Sequence, residues 1–192
     1  MTGADQAIGG DLGQRAGQAT ASCVVNGVET VLEGGLAEPA TGFLRRLGLY
    51  GVRETCSLGV CGTCTILLDG EPVSACILPL YALDGREVRT VEGLESEGQL
   101  STLQRQFICS QAFQCSFCTP GFLLSAQALL DATEGPLTDE QVVEGLQGHL
   151  CRCGCYESVK EAVRAVAARR QESDADGAQP TIRPQDAGRA AP

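Results

Sequence analysis

The spacing of the cysteines constrains this chain more than any other feature. Eleven cysteines occur in 192 residues, and eight of them fall into two sets of four. The first set reads Cys56-x4-Cys61-x2-Cys64 and is closed by Cys76. The second reads Cys115-x2-Cys118 and is closed, much later, by Cys151-x-Cys153. Three thiols this close in sequence can converge only if the backbone wraps around a common centre. Gly59 and Gly62 permit the positive-φ turns such a wrap needs.

The odd cysteine total argues against a complete disulfide framework. Residues 1–20 lack the apolar segment of a secretory signal, and Arg15 stands alone rather than in a twin-arginine pair. No stretch approaches the ~20 apolar residues of a membrane helix. Without export, cysteines in this spacing read as metal ligands, and the expected location is cytoplasmic. The formal net charge is −10 with no Lys/Arg run to track phosphates, which argues against nucleic acid as a partner.

Three thiolates on one x4/x2 loop, with a fourth from a following strand, form the ligand set of a plant-type [2Fe–2S] cluster. Zinc prefers paired CxxC knuckles instead. A Rieske centre needs two histidines, and His149 is the only one present. The second set, read alone, is as compatible with zinc as with a second [2Fe–2S] cluster. Two redox centres in one small chain imply electron transfer.

Segment 21–33 carries Asn26-Gly27 between β-branched runs, and Asp69-Gly70 lies between Thr65–Leu68 and Pro72–Cys76; both predict hairpins. Residues 41–49 predict a helix stopped at Gly48, and Val88–Val91 a further strand. After residue 98 the pattern turns helical. Ser101-x-x-Gln104 and Thr138-x-x-Gln141 fit capping boxes. The first helix continues through Leu103, Phe107, Ile108 and Gln111, and Pro120 opens a second through Phe122–Leu130. Val142, Val143, Leu146 and Leu150 form the stripe of a third helix; Val159, Ala162, Val163 and Val166 form that of a fourth beginning near Tyr156. The expected organisation is an α+β protein: a tail over 1–20, a strand-rich domain over 21–98, a four-helix domain over 99–170 and a tail over 171–192.

The strings Gln114-Cys-Ser-Phe-Cys-Thr-Pro-Gly121 and Gly148-His-Leu-Cys-Arg-Cys-Gly-Cys-Tyr156 follow the ferredoxin-like loop. Together they resemble the small iron–sulfur subunit of molybdenum hydroxylases, the xanthine dehydrogenase, aldehyde oxidoreductase and carbon monoxide dehydrogenase superfamily. The resemblance spans roughly residues 22–168. It implies a β-grasp plant-type ferredoxin domain followed by a four-helix [2Fe–2S]-binding domain. It also implies a large partner subunit with a molybdopterin-type molybdenum cofactor next to the helical cluster. Electrons would leave through the ferredoxin cluster to FAD in a medium subunit, or to another acceptor.

On this resemblance the metal ligands are Cys56, Cys61, Cys64 and Cys76 for one cluster, and Cys115, Cys118, Cys151 and Cys153 for the other. Gln114 and Cys153 correspond to residues near the pterin, and no residue of this chain does chemistry on substrate. Three positions depart from the family's usual pattern: Ser116 where glycine is usual, His149 where asparagine is usual, and Gly154-Cys155 where Thr-Gly is usual. Cys23 and Cys109 read as small core residues. Cys155 reads as a spectator, a redox-sensitive thiol, a pterin-side contact or an alternative ligand. His149 is expected to bond a helix end, and Arg152 either to offset cluster charge or to meet a partner's phosphate. Glu92–Glu97 and Asp139-Glu140 read as solvated or helix-start charges. Two rival readings are a free-standing ferredoxin-like carrier and a zinc-stabilised adaptor.

Overall fold

The computed structural model describes residues 21–176. A five-stranded mixed sheet has the order β2-β1-β5-β3-β4. Strands β1 (Ser22–Val25) and β2 (Val28–Val31) form the first hairpin, paired Val25 to Val28. The tight connection works because Asn26 and Gly27 both take positive φ, 50° and 81°, the twist of a type I′ turn. β3 (Thr65–Leu68) and β4 (Glu71–Ser74) repeat the device with Asp69 and Gly70 at 51° and 89°. β5 (Glu87–Arg89) enters between them, parallel to β1 and antiparallel to β3. Val91, expected at the end of this strand, instead opens a short 3-10 helix, Val91–Leu94.

Helix α1 (Ala40–Arg46) buries Ala40, Thr41, Phe43 and Leu44, and ends just before Gly48, whose φ of +83° turns the chain away. Phe43 and Leu44 pack with Ile66, Leu68, Leu80, Leu83 and Val88 in one hydrophobic core. β3 is buried on both faces, so its side chains divide by alternation. Ile66 and Leu68 join that core, while Leu67 faces the other way, into a second core built from helices.

The second core gathers α2 (Thr102–Cys109), α3 (Thr119–Ala132), α4 (Asp139–Gly145) and α5 (Tyr156–Asp176). Both expected capping boxes are present: Ser101 Oγ accepts from Gln104 N–H at 3.1 Å, and Gln104 Oε1 accepts from Ser101 N–H at 2.8 Å. Thr138 and Gln141 repeat the exchange. Val159, Ala162, Val163 and Val166 of α5 are all buried against Leu103, Phe107 and Val142. Burying each Val or Leu of this seam contributes roughly 1.5–3 kcal/mol.

Three sequence expectations fail locally. α2 ends at Cys109, so Gln111 lies outside it at φ 48°, and Ile108 points to solvent. Val143 lies within α4 but faces solvent at 61% exposure, and α4 ends at Gly145, so Leu150 falls outside it at 58%; only Val142 and Leu146 of the expected stripe are buried. Cys109 is half-buried, whereas Cys23 is in the core. α5 runs to Asp176. Residues 1–20 and 177–192, read as tails, lie outside the described residues.

Candidate metal centres

The segment between α1 and β3 carries three thiols of the first set. Ser57, Gly59 and Gly62 take φ of 52°, 72° and 70°, and this curls the loop so that its amides point inward. Leu58 N–H donates to Cys56 Sγ at 3.4 Å, and Gly59 N–H donates to Cys76 Sγ at 3.3 Å. Thr63 Oγ1 lies 3.3 Å from Cys61 Sγ and 3.0 Å from Thr55 Oγ1. Cys76 follows β4 and is locked beside the loop by Ala75 N–H donating to Cys64 O at 3.3 Å.

The four thiols differ in environment. The amides of Leu58, Cys61 and Val60 draw the half-buried Cys56 thiol down to about 6. Burial pushes Cys64 up to about 11. The Cys61 thiol also helps lower the pKa of Cys56, and the Cys76 thiol helps raise that of Cys64.

The second set sits where helix ends meet. Cys115 is exposed on the loop before α3, Cys118 is the residue at the N-terminus of α3, and Cys151 and Cys153 form the elbow leading into α5. Ser116 holds φ +62°, a conformation costing a non-glycine residue about 1–2 kcal/mol; this explains why glycine is usual there. The Phe117 amide and the Cys153 thiol lower the pKa of Cys115. Burial pushes Cys118 up to about 12, outweighing the helix N-terminus that favours its thiolate. For Cys151 burial acts upward, but amides of Cys155 and Cys153 and the Cys118 thiol together carry it below the usual thiol range. Gln114 and Arg152 are exposed beside these thiols.

All eleven cysteines are free thiols. Among the described residues no three His, Cys, Asp or Glu side chains converge on one point as ligands of a single ion would. Within each set a neighbouring thiol contributes to the pKa shift of Cys56 (Cys61), Cys64 (Cys76), Cys115 (Cys153) and Cys118 (Cys151). A soft, all-sulfur donor set with amides aimed at the sulfurs fits an iron–sulfur group, whose ligand charge those amides offset.

The two sets share a tight junction. Leu150 N–H donates to Cys61 O at 3.1 Å. A Cβ on Gly121 would lie 2.2 Å from Gly62 O, and one on Gly62 would lie 2.6 Å from Gly148 O. The His149 ring fills the remaining space, 5.0 Å from the Phe122 ring, with Nε2 3.2 Å from Ser125 Oγ and Nδ1 buried without a partner. Desolvation lowers the pKa of this imidazole. The Arg53 guanidinium of the first loop lies 5.5 Å from the Phe117 ring of the second. A cavity of about 400 Å³ lies between the sets, lined by Thr55, Cys61, Cys115, Cys118 and Arg152 among others.

Sequence reasoning missed this junction. Gly62 stood out only as a loop residue, and the one hint at Gly121 was a glycine in the first turn of a helix. Glu92 is exposed in the first turn of the Val91–Leu94 helix, as expected, and its carboxylate also accepts from Gly51 N–H at 2.7 Å and Thr90 Oγ1 at 2.5 Å. Asp139 fits its expected helix-start role and also pairs with Lys160 at 3.0 Å and Arg164 at 2.7 Å.

Comparison with known proteins points the same way. Residues 90–164 match the family model described as a [2Fe-2S] binding domain. The chain is 51% identical over 115 residues to the nicotine 6-hydroxylase small subunit of Paenarthrobacter nicotinovorans, covering 60% of this chain and 68% of that one. It is 38% identical over 145 residues to the xanthine dehydrogenase iron-sulfur-binding subunit of Escherichia coli O157:H7, covering 75% and 91%. Among solved structures it superposes on quinoline 2-oxidoreductase from Pseudomonas putida 86 with a TM-score of 0.73 and 38% identity, covering 79% of this chain and 96% of that one.

Proposed function

Since the chain belongs to the family of small iron–sulfur subunits of molybdenum hydroxylases, components of oxidoreductase complexes, we propose that it is the electron-transfer subunit of such a hydroxylase. In this reading the path runs from a molybdopterin-bound molybdenum centre in a large subunit, through two [2Fe–2S] clusters, to FAD in a medium subunit or another acceptor. Residues 21–98 form a β-grasp plant-type ferredoxin domain, and residues 99–170 a helical [2Fe–2S]-binding domain. Cys56, Cys61, Cys64 and Cys76 hold one cluster; Cys115, Cys118, Cys151 and Cys153 hold the other. Gln114 and Cys153 face the pterin, and substrate chemistry belongs to the partner chain.

When bound, each cluster supplies one-electron redox chemistry. This chain's own residues do the rest. The amides of Leu58 and Gly59 donate to sulfurs of the first set, and that of Cys155 to the second. Such donors stabilise thiolate charge and raise the reduction potential.

The observation that carries the reading is the junction: the Leu150 N–H···O=C Cys61 bond joins the residue before Cys151 directly to a thiol-bearing residue of the other set. A free-standing carrier has no need for two thiol sets fastened together. The proposed location of the complex is cytoplasmic; no helix among the described residues is long and apolar enough to cross a membrane.

The test is Cys118→Ser in the purified complex. One EPR-active [2Fe–2S] signal should disappear, and substrate should no longer reduce the remaining centre. Normal substrate-driven reduction of two centres in this variant contradicts the proposal.

A further inference from the structure

At the junction of the two thiol sets a half-buried cation lacks a counter-charge. Arg53 precedes Cys56 on the first cysteine loop, and its N–H donates to Thr63 O at 3.1 Å, which ties it there. Its guanidinium reaches across to the second loop, 5.5 Å from the ring of Phe117, which lies between Cys115 and Cys118. Its Nε is buried without a hydrogen-bond partner. Among the described residues no carboxylate pairs with it; neighbouring Glu54 is exposed and makes no ion pair. Arg152, by contrast, is exposed to water, which screens its charge.

A guanidinium keeps its charge in a protein, so burial cannot neutralise it, and removing it from water without an anion is costly. The contact with the Phe117 ring offsets only about 0.5–2 kcal/mol of that cost. Anions are at hand on both sides. Four thiolates around an oxidised [2Fe–2S] unit carry a formal charge of about −2, and reduction adds one more negative charge. A fixed positive charge between two such sites therefore favours the reduced form of each.

We propose that Arg53 is a shared counter-ion of the two cysteine sites, whose charge raises the reduction potential of the clusters held on both sides of it. The inference rests on the reading of the eight cysteines as ligands of two clusters. Arg53 is anchored on one loop and carries its charge over the other, so it acts on both sites at once. An amide that donates to a single sulfur acts on one. Arg53 exchanges no proton and forms no bond as charge passes. Each site takes up one electron, from the molybdenum partner in turnover or from dithionite in a titration.

The experiment is an EPR-monitored redox titration of the purified holo complex carrying Arg53→Met or Arg53→Lys. Methionine keeps an apolar contact for Phe117 and removes the charge; lysine keeps the charge and loses the planar group. In the methionine variant both centres should titrate at lower potential, each reduction equilibrium falling about tenfold. A tenfold change is read as about 59 mV for one electron. The lysine variant should lie closer to wild type at both centres. Unmoved potentials in the methionine variant overturn the proposal, and so does a shift confined to one centre. Equal shifts in the two variants also overturn it, by making shape rather than charge the cause, as does loss of a centre in the methionine variant. A wild-type complex without two EPR-active centres would instead refute the functional reading itself.

Discussion

Replacing Gly121 by alanine tests the junction between the two thiol sets. The new Cβ would stand 2.2 Å from Gly62 O and 3.1 Å from the His149 ring. The first obstacle is a backbone carbonyl on the cysteine loop, so it cannot rotate away; either α3 or the loop must shift. Overpacking against a rigid wall costs at the upper end of the usual range, about 3 kcal/mol. Alanine within a helix returns about 1 kcal/mol over glycine. The net loss is therefore about 2 kcal/mol, and at about 2–4 °C per kcal/mol the thermal midpoint should fall by about 4–8 °C. Gly42→Ala is the matched control, because its Cβ would meet only the flexible Arg46 side chain, at 3.5 Å, within α1. That variant should melt at or above the wild-type temperature. Thermal melts of both at one scan rate decide the matter. A Gly121→Ala protein as stable as wild type would refute the close approach, and the junction with it.

Asn26→Ala should cost about 2–4 kcal/mol in urea unfolding. It removes the acceptor of buried Thr90 N–H (2.8 Å) and the donor to Thr90 Oγ1 (2.9 Å), and it puts alanine at φ 50°. Asn26→Gly should cost less, and a loss below about 0.5 kcal/mol for alanine would contradict the account. In the metal-free chain, Cys56 should be the thiol alkylated fastest at pH 7. Its pKa is depressed to about 6, so its rate should rise through that pH and level off above it, whereas Cys64 and Cys118 stay protonated up to about 11 and 12. A Cys56 rate midpoint near the ordinary value of about 8.5 would count against the amide cradle.

What sequence revealed and what it hid divide by range. Asn26-Gly27 and Asp69-Gly70 declare their hairpins because positive φ at two successive residues is a local demand that few residue pairs meet. Ser101 and Thr138 announce helix starts for the same reason: partner and cap lie three residues apart. The cysteine sets were legible because metal chemistry restricts which side chains can serve and how far apart they stand. The division of β3 was not, since Thr65–Leu68 is buried throughout and a continuous apolar run hides which face meets which core. Leu150 misled because α4 stops at Gly145, and an unbroken apolar spacing cannot show where a helix ends. The Gly62–Gly121 approach and the His149 wedge bring together residues far apart in sequence, so no local pattern encodes them.

The most direct test of the central claim is iron and acid-labile sulfide analysis of the purified chain, with visible and EPR spectra before and after dithionite. The account expects about four irons and four sulfides per chain and two distinguishable EPR centres in the reduced protein. It also expects a visible absorption band that dithionite bleaches. A colourless chain containing zinc, or a chain with half the iron and a single centre, would contradict it.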